Sequence, residues 1–185
     1  MELIQGIFSR QSISKVKPDP VPHKLTEQLL EAAVQAPNHH KVRPWRFIVL
    51  EGQARNRLGD TMAQAMKQHS PETMEQALEV ERARPLRAPV LIGVAVDKPY
   101  STKEVELENI CAAAAGAQNM LLAAHGLGLG AIWRTGAAAS EPLVKAFLGL
   151  EPDQTLLGFI YIGFPVTEPP LAQRPSFEDR TTWME

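Results

Sequence analysis

Two short stretches of this 185-residue chain gather side chains with chemical capacity. In Ser9-Arg10-Gln11-Ser12 a guanidinium, two hydroxyls and several backbone N–H groups fall at a chain turn, the donor set that an anionic phosphate requires. From Ala36 to Phe47, the adjacent His39 and His40, the cations Lys41, Arg43 and Arg46, the amide of Asn38 and Trp45 occupy what reads as a loop between a helix and a strand. Taken alone, an arginine after a helix is more often a solvated charge than a phosphate ligand.

The other reactive residue types form no recognisable catalytic set. His39 and His40 point different ways and lack a further ligand three or four residues on, while His23, His69 and His125 stand at no metal-ligand spacing, so no metal site is expected. No serine lies in a G-x-S-x-G turn, and Cys111 falls inside an alanine-rich helix where an inert core thiol is expected. No two carboxylates stand as an evident acid and base. Gly126, Gly128 and Gly130 are spaced by two and follow a helix instead of opening one. That spacing excludes a dinucleotide-binding loop and predicts a helix C-terminus with left-handed glycine feeding a strand. An enzyme built on such a chain depends on a cofactor for its hard chemistry.

These residues must be positioned by a modest set of elements. Leu3, Ile4, Ile7 and Phe8 predict a short helix over 3–10, and three prolines in Lys17 to Pro22 make an extended connector. Leu25, Leu29, Leu30, Ala32, Ala33 and Ala36 recur at helical spacing until Pro37. A strand follows over Arg46 to Leu50, then two charged helices between Gly52 and Arg84 with a break near Ser70-Pro71. Pro89 to Asp97 is a buried strand, Glu104 to His125 a long helix whose alanine-rich centre suits the middle of the molecule or a subunit interface. Ser140 is the expected N-cap of a helix to Leu148 ended by Gly149, and Leu156 to Phe164 is a second buried strand. The tail from Pro165 to Glu185 is proline-rich yet ends near Trp183, an aromatic that needs a surface to pack on. Strands separated by helices make the class α+β or α/β around one sheet.

Composition bounds the remaining possibilities. The chain is 44% apolar, with 19 Lys plus Arg against 21 Asp plus Glu and a net charge of −2, which supplies no general field for nucleic acid. Ile110 to Ala124, the most apolar stretch, is about 15 residues with Gln118 and Asn119 inside it, short of the ~20 of a bilayer span. The N-terminus lacks the pattern of a secretory signal, and one cysteine makes no disulfide framework, so a single cytoplasmic domain over 1–185 is expected, with neither nucleic-acid nor membrane partner.

Taken in order, several segments resemble the nitroreductase family of FMN-dependent NAD(P)H oxidoreductases. They are Arg10-Gln11-Ser12 after a short helix, Pro20-Val21-Pro22 before a second, Ala36-Pro37 followed eight residues later by Trp45-x-Phe47, the run Ala117 to Ala124, and Gly126 to Gly130 leading to Trp133. Ile132-Trp133-Arg134-Thr135-Gly136 and the short length are most similar to the small, minimal-scaffold branch. The resemblance covers nearly the whole chain. It implies an α+β nitroreductase-like fold, with a central antiparallel or mixed four-stranded sheet flanked by helices and a long central helix. It implies also an intertwined homodimer with one FMN at each end of the interface, the tail from about 165 to 185 reaching onto the partner.

The resemblance also implies a site. Arg10 and Ser12, with Gln11 between them, match positions that grip the FMN phosphate, and Arg134 matches a second basic ligand. Pro37, Asn38 and His39 match the loop against the flavin ring and ribityl chain, contributed partly by the partner subunit, with Gln35 just before it. Ile132 and Trp133 border the isoalloxazine beside a backbone N–H that serves N5. Lys41 and Arg43 stand where many members carry Asn and Gln; a cation there would stabilise negative charge developing near N1 and O2. Ser14 stands where a basic residue is frequent, leaving fewer charges for the phosphate. The implied reaction is ping-pong: hydride from NADH or NADPH to flavin N5, then to a nitro compound or quinone, without catalytic side chains or metal, His39 being the first candidate proton donor. The same features fit an FMN-binding redox sensor or flavin reservoir with little turnover, and the scaffold also hosts reductive dehalogenation and flavin fragmentation.

Overall fold

The structure is a computed structural model that describes residues 2–167 and 170–185; Glu168 and Pro169 of the expected tail lie outside the described residues. Helix α1 spans Leu3–Ser9 and α2 His23–Ala33, followed by strand β1 Trp45–Glu51. Helices α3 Gln53–His69 and α4 Glu75–Ala83 precede β2 Val90–Val96 and the long α5 Glu106–Gly126. Then come β3 Gly130–Arg134, the short helices α6 Ala137–Ser140 and α7 Pro142–Phe147, and β4 Thr155–Gly163.

The four strands form one sheet in the order β1-β2-β4-β3, every neighbouring pair antiparallel. Alternation along β2 explains the two cores. Val90, Ile92, Val94 and Val96 pack with Leu29, Ala33, Ala113, Ala117 and Met120 of α2 and α5. Leu91 and Ala95 pack on the other face with Leu58 and Met62 of α3, Val144 of α7 and Tyr161 of β4. All of β2 is therefore buried, as its continuous apolar run predicted.

Several boundaries follow from local chemistry. Helix α2 stops at Ala33 rather than at Pro37, because Gln35 and Ala36 donate to the carbonyls of Ala32 and Ala33 and tighten the last turn. α5 ends where expected, with Gly128 at φ +74° before β3. Ser140 is not an N-cap: it closes α6, and the extended Glu141 precedes α7 with Pro142 in its first turn. Cys111 is exposed, not a core thiol. It belongs to a stripe of α5, with the exposed Leu107 and Gln118, that points away from the sheet.

One glycine shapes the β3 side of the sheet. Gly158 adopts φ +127°, and a Cβ there would lie 2.3 Å from the Arg134 carbonyl oxygen. The β2–β4 register slips at Val94/Ala95, leaving Leu157 without a facing residue. Its carbonyl instead accepts the indole N–H of Trp133 at 3.3 Å. Among the described residues, no helix is long and apolar enough to cross a membrane, and no group of three or more His, Cys, Asp or Glu could hold a metal ion.

Candidate active site

Strand β3 divides its side chains between the two faces: Ala131 and Trp133 join the α2–α5 core, while Ile132 joins the α3–α7 side. Arg134 follows Ile132 onto that side, its guanidinium 5.5 Å from the ring centroid of Tyr161. Here, between β3, β4, α3 and α6, lies a cavity of about 310 Å³ whose wall includes Arg84, Arg87, Arg134, Tyr161 and Met62. The residues Ile132 to Gly136 form its rim.

The charge in this cavity is mostly uncompensated. Arg84 pairs with the buried Glu81 at 2.8 Å. Arg87 and Arg134 have no ion pair among the described residues, and Arg134 Nε is buried with no hydrogen-bond partner. A buried donor left open is costly unless a ligand completes it. Burial pushes the Tyr161 phenol above its ordinary pKa, while Arg134, Arg87 and Arg84 act the other way. The cavity thus offers guanidinium donors to a polar, planar group able to take up negative charge.

The N-terminal arm is docked on the same strand. Ile13 N–H donates to the Ala131 carbonyl at 2.9 Å, and Gly130 leaves room for Ile13 and Val16, which an added Cβ would meet at 2.8 and 3.1 Å. Just before this contact, Arg10 is held below its ordinary pKa, first by burial and then by the charge of Arg174. Gln11 ties the arm to the C-terminal segment through its amide, which donates to Pro170 O at 3.2 Å. Ser12 is exposed. The charge of Arg174, in the C-terminal segment, is thus near enough to act on Arg10.

The loop after α2 is elsewhere. Asn38 Oδ1 accepts from Arg43 N–H at 2.9 Å, and His40, Lys41 and Arg43 all have positive φ, 51°, 57° and 53°. Three non-glycine residues in this region store local strain, which concentrates at functional segments. His39 is exposed, its Nε2 4.0 Å from Glu108 at the start of α5. Gln35 and Pro37 are exposed as well. None of these residues lines the arginine cavity of its own chain.

The structure therefore brings Ile132, Trp133 and Arg134 into one wall, sets Arg10, Gln11 and Ser12 at the outer edge of the same strand, and leaves Gln35, Pro37, Asn38, His39 and Lys41 apart. Arg84, Arg87, Tyr161 and Arg174 were not foreseen. The signal available was weak: Arg84-Pro85-Leu86-Arg87 places two cations three residues apart in a proline-marked turn ahead of a buried strand.

Comparison with known proteins agrees over the length of the chain. The nitroreductase family model matches residues 7–164. The Escherichia coli protein named "Putative NAD(P)H nitroreductase YdjA" is 30% identical over 166 residues, 89% of each chain. A nitroreductase-like family protein from Bacillus cereus superposes with a TM-score of 0.87 at 25% identity, covering all of this chain and 97% of that one. A Desulfovibrio desulfuricans protein solved in complex with FMN gives 0.72 at 27% identity, over 96% of this chain and 94% of its own.

Proposed function

The chain belongs to the nitroreductase family, and from that membership we propose that it is an FMN-dependent oxidoreductase that moves a hydride from NADH or NADPH to an acceptor such as a nitro compound or a quinone. The observation that carries the reading is the unsatisfied positive charge of Arg87 and Arg134 beside the rim Ile132 to Gly136. FMN, when bound, supplies the hydride-accepting ring, and this donor set fits its pyrimidine edge.

Each group of residues then has a task. Arg134, which the family resemblance sets on the phosphate, stands instead in this cavity; with Arg84 and Arg87 it would hold the negative charge that FMN takes up on reduction, in a partly buried setting where fixed donors act strongly. Glu81 anchors Arg84 and keeps its guanidinium in place. Arg10, Arg174 and Ser12, with Gln11 steadying the arm, bind the phosphate; each charge-assisted bond contributes roughly 1.5–3 kcal/mol. The Trp133 indole, fixed to Leu157 O, holds the rim against β4. Gln35, Pro37, Asn38, His39 and Lys41 complete the cavity of a second copy, and His39 or solvent supplies the product's proton.

A homodimer is part of the proposal. Leu3 and Phe8 of α1 are 71% and 78% exposed, and Leu107 of α5 and Phe177 and Trp183 of the tail lie equally open, at 66%, 64% and 81%. Such apolar area on one chain calls for a covering partner. The protein is proposed to work in the cytoplasm as one domain over 1–185.

One site used in turn by donor and acceptor predicts ping-pong kinetics. Initial rates measured at several acceptor concentrations against NADPH should give parallel double-reciprocal lines; intersecting lines would show that both substrates bind together and would refute the order proposed.

A further inference from the structure

Arg87 also borders a second cavity, of about 350 Å³, where the connector after Val16 passes the start of β2 and the first turns of α3. Lys17, Arg55, Asn56 and Arg87 form its polar wall, with Pro18 and Leu86 beside them. Its volume lies at the lower end of the roughly 300–1,000 Å³ typical of ligand sites. No carboxylate lines it, and among the described residues Lys17, Arg55 and Arg87 take part in no ion pair. Arg55 is pinned: its Nη1 donates to Ala88 O at 2.6 Å, while its Nε is buried without a hydrogen-bond partner among the described residues.

Three cations converging on one hollow repel each other unless an anion enters, and a fixed guanidinium with an open buried donor is prepared to receive one. We propose that this cavity binds the 2′-phosphate of NADPH and makes the protein prefer NADPH to NADH. The inference rests on the arginine cavity being the flavin site. A hydride donor whose nicotinamide reaches that site meets Arg87 on its wall, and Arg87 is the residue that both cavities share. The 2′-phosphate brings negative charge to Lys17, Arg55 and Arg87, whereas NADH presents only a hydroxyl at the same atom.

Calorimetry of the FMN-loaded protein with adenosine 2′,5′-bisphosphate, adenosine 5′-monophosphate and inorganic phosphate tests this. The bisphosphate should bind about tenfold or more tightly than either control, and Lys17→Ala and Arg55→Ala should each remove most of that difference. In steady-state assays the same substitutions should raise KM for NADPH about tenfold and leave KM for NADH within about twofold. Lys17 is exposed, and its backbone N–H donates to Phe164 O at 2.7 Å, a bond that survives the substitution, so Lys17→Ala keeps the test valid if Arg55→Ala does not fold. Equal binding of the two nucleotides, an unchanged preference in Lys17→Ala, or inorganic phosphate binding as tightly as the bisphosphate would overturn the proposal. Loss of FMN from Lys17→Ala would also overturn it and assign the cavity to the flavin phosphate. Failure of the flavin reading is separately visible: a wild-type protein that takes up no FMN yet still selects the bisphosphate leaves the phosphate subsite standing.

Discussion

Arg174, in the C-terminal segment, faces Arg10 at the end of α1 closely enough that its charge adds to burial in lowering the Arg10 pKa. The two stand near opposite ends of the chain, and the bond from the Gln11 amide to Pro170 O brings the C-terminal segment to the N-terminal arm. In the proposed site both charges would act on the FMN phosphate.

Arg10→Ala and Arg174→Ala should each raise the FMN dissociation constant about 10- to 100-fold, the loss of one charge-assisted contact. Flavin fluorescence titration reads the constant, and circular dichroism should show an unchanged fold. Full FMN affinity in both variants would place the phosphate elsewhere.

The burial of Tyr161 makes stability depend on alkaline pH. Its folded pKa lies above the ordinary value of about 10, so between the two the unfolded chain has released a proton that the folded chain keeps. Stability should therefore hold below about pH 10 and fall as pH rises through the folded pKa. Tyr161→Phe should flatten that part of the profile in thermal melts between about pH 9 and 11, and an identical slope in the variant would reject this origin.

Gly158→Ala should be strongly destabilising. The residue sits at φ +127°, and its new methyl would meet the Arg134 carbonyl oxygen at 2.3 Å, so both strain and overpacking apply. A loss of roughly 2–4 kcal/mol in urea unfolding is expected. Because the Leu157 carbonyl next to it holds Trp133, the tryptophan emission of the folded variant should change too.

Asp97 secures the entry to β1 behind the strained loop. Its buried carboxylate accepts from Arg46 Nε at 3.0 Å through both oxygens and from Gln154, and its N–H donates to Pro44 O at 2.8 Å. Asp97→Ala should cost about 2–3 kcal/mol by chemical denaturation, and Asp97→Asn less, since it keeps one acceptor. Equal losses in the two variants would point to packing instead of the charge-assisted bonds.

The elements were largely legible because their signals are local. The all-apolar 90–96 run, the glycines after α5 and the charged pair of helices broken near Pro71 each carry their own period or punctuation. The site was less legible because it is made by register. Tyr161 reaches the cavity because Ile132 pairs with Tyr161 across β3 and β4, and nothing in either segment specifies that pairing. Arg84 and Arg87 carry no spacing that marks a site until the turn that holds them is placed beside β4. Cys111 departs from expectation for a related reason: alanine surrounds it in sequence, but the helix stripe it occupies faces away from the sheet.

Bound FMN in this chain is proposed to accept hydride from a nicotinamide. The most direct test is the visible spectrum of the purified, FMN-supplemented protein under anaerobic NADPH. Flavin absorption should bleach on addition of NADPH and return when a quinone is added. A protein that retains FMN but leaves it oxidised would be a flavin reservoir or sensor, and one that binds no FMN at all would contradict the site itself.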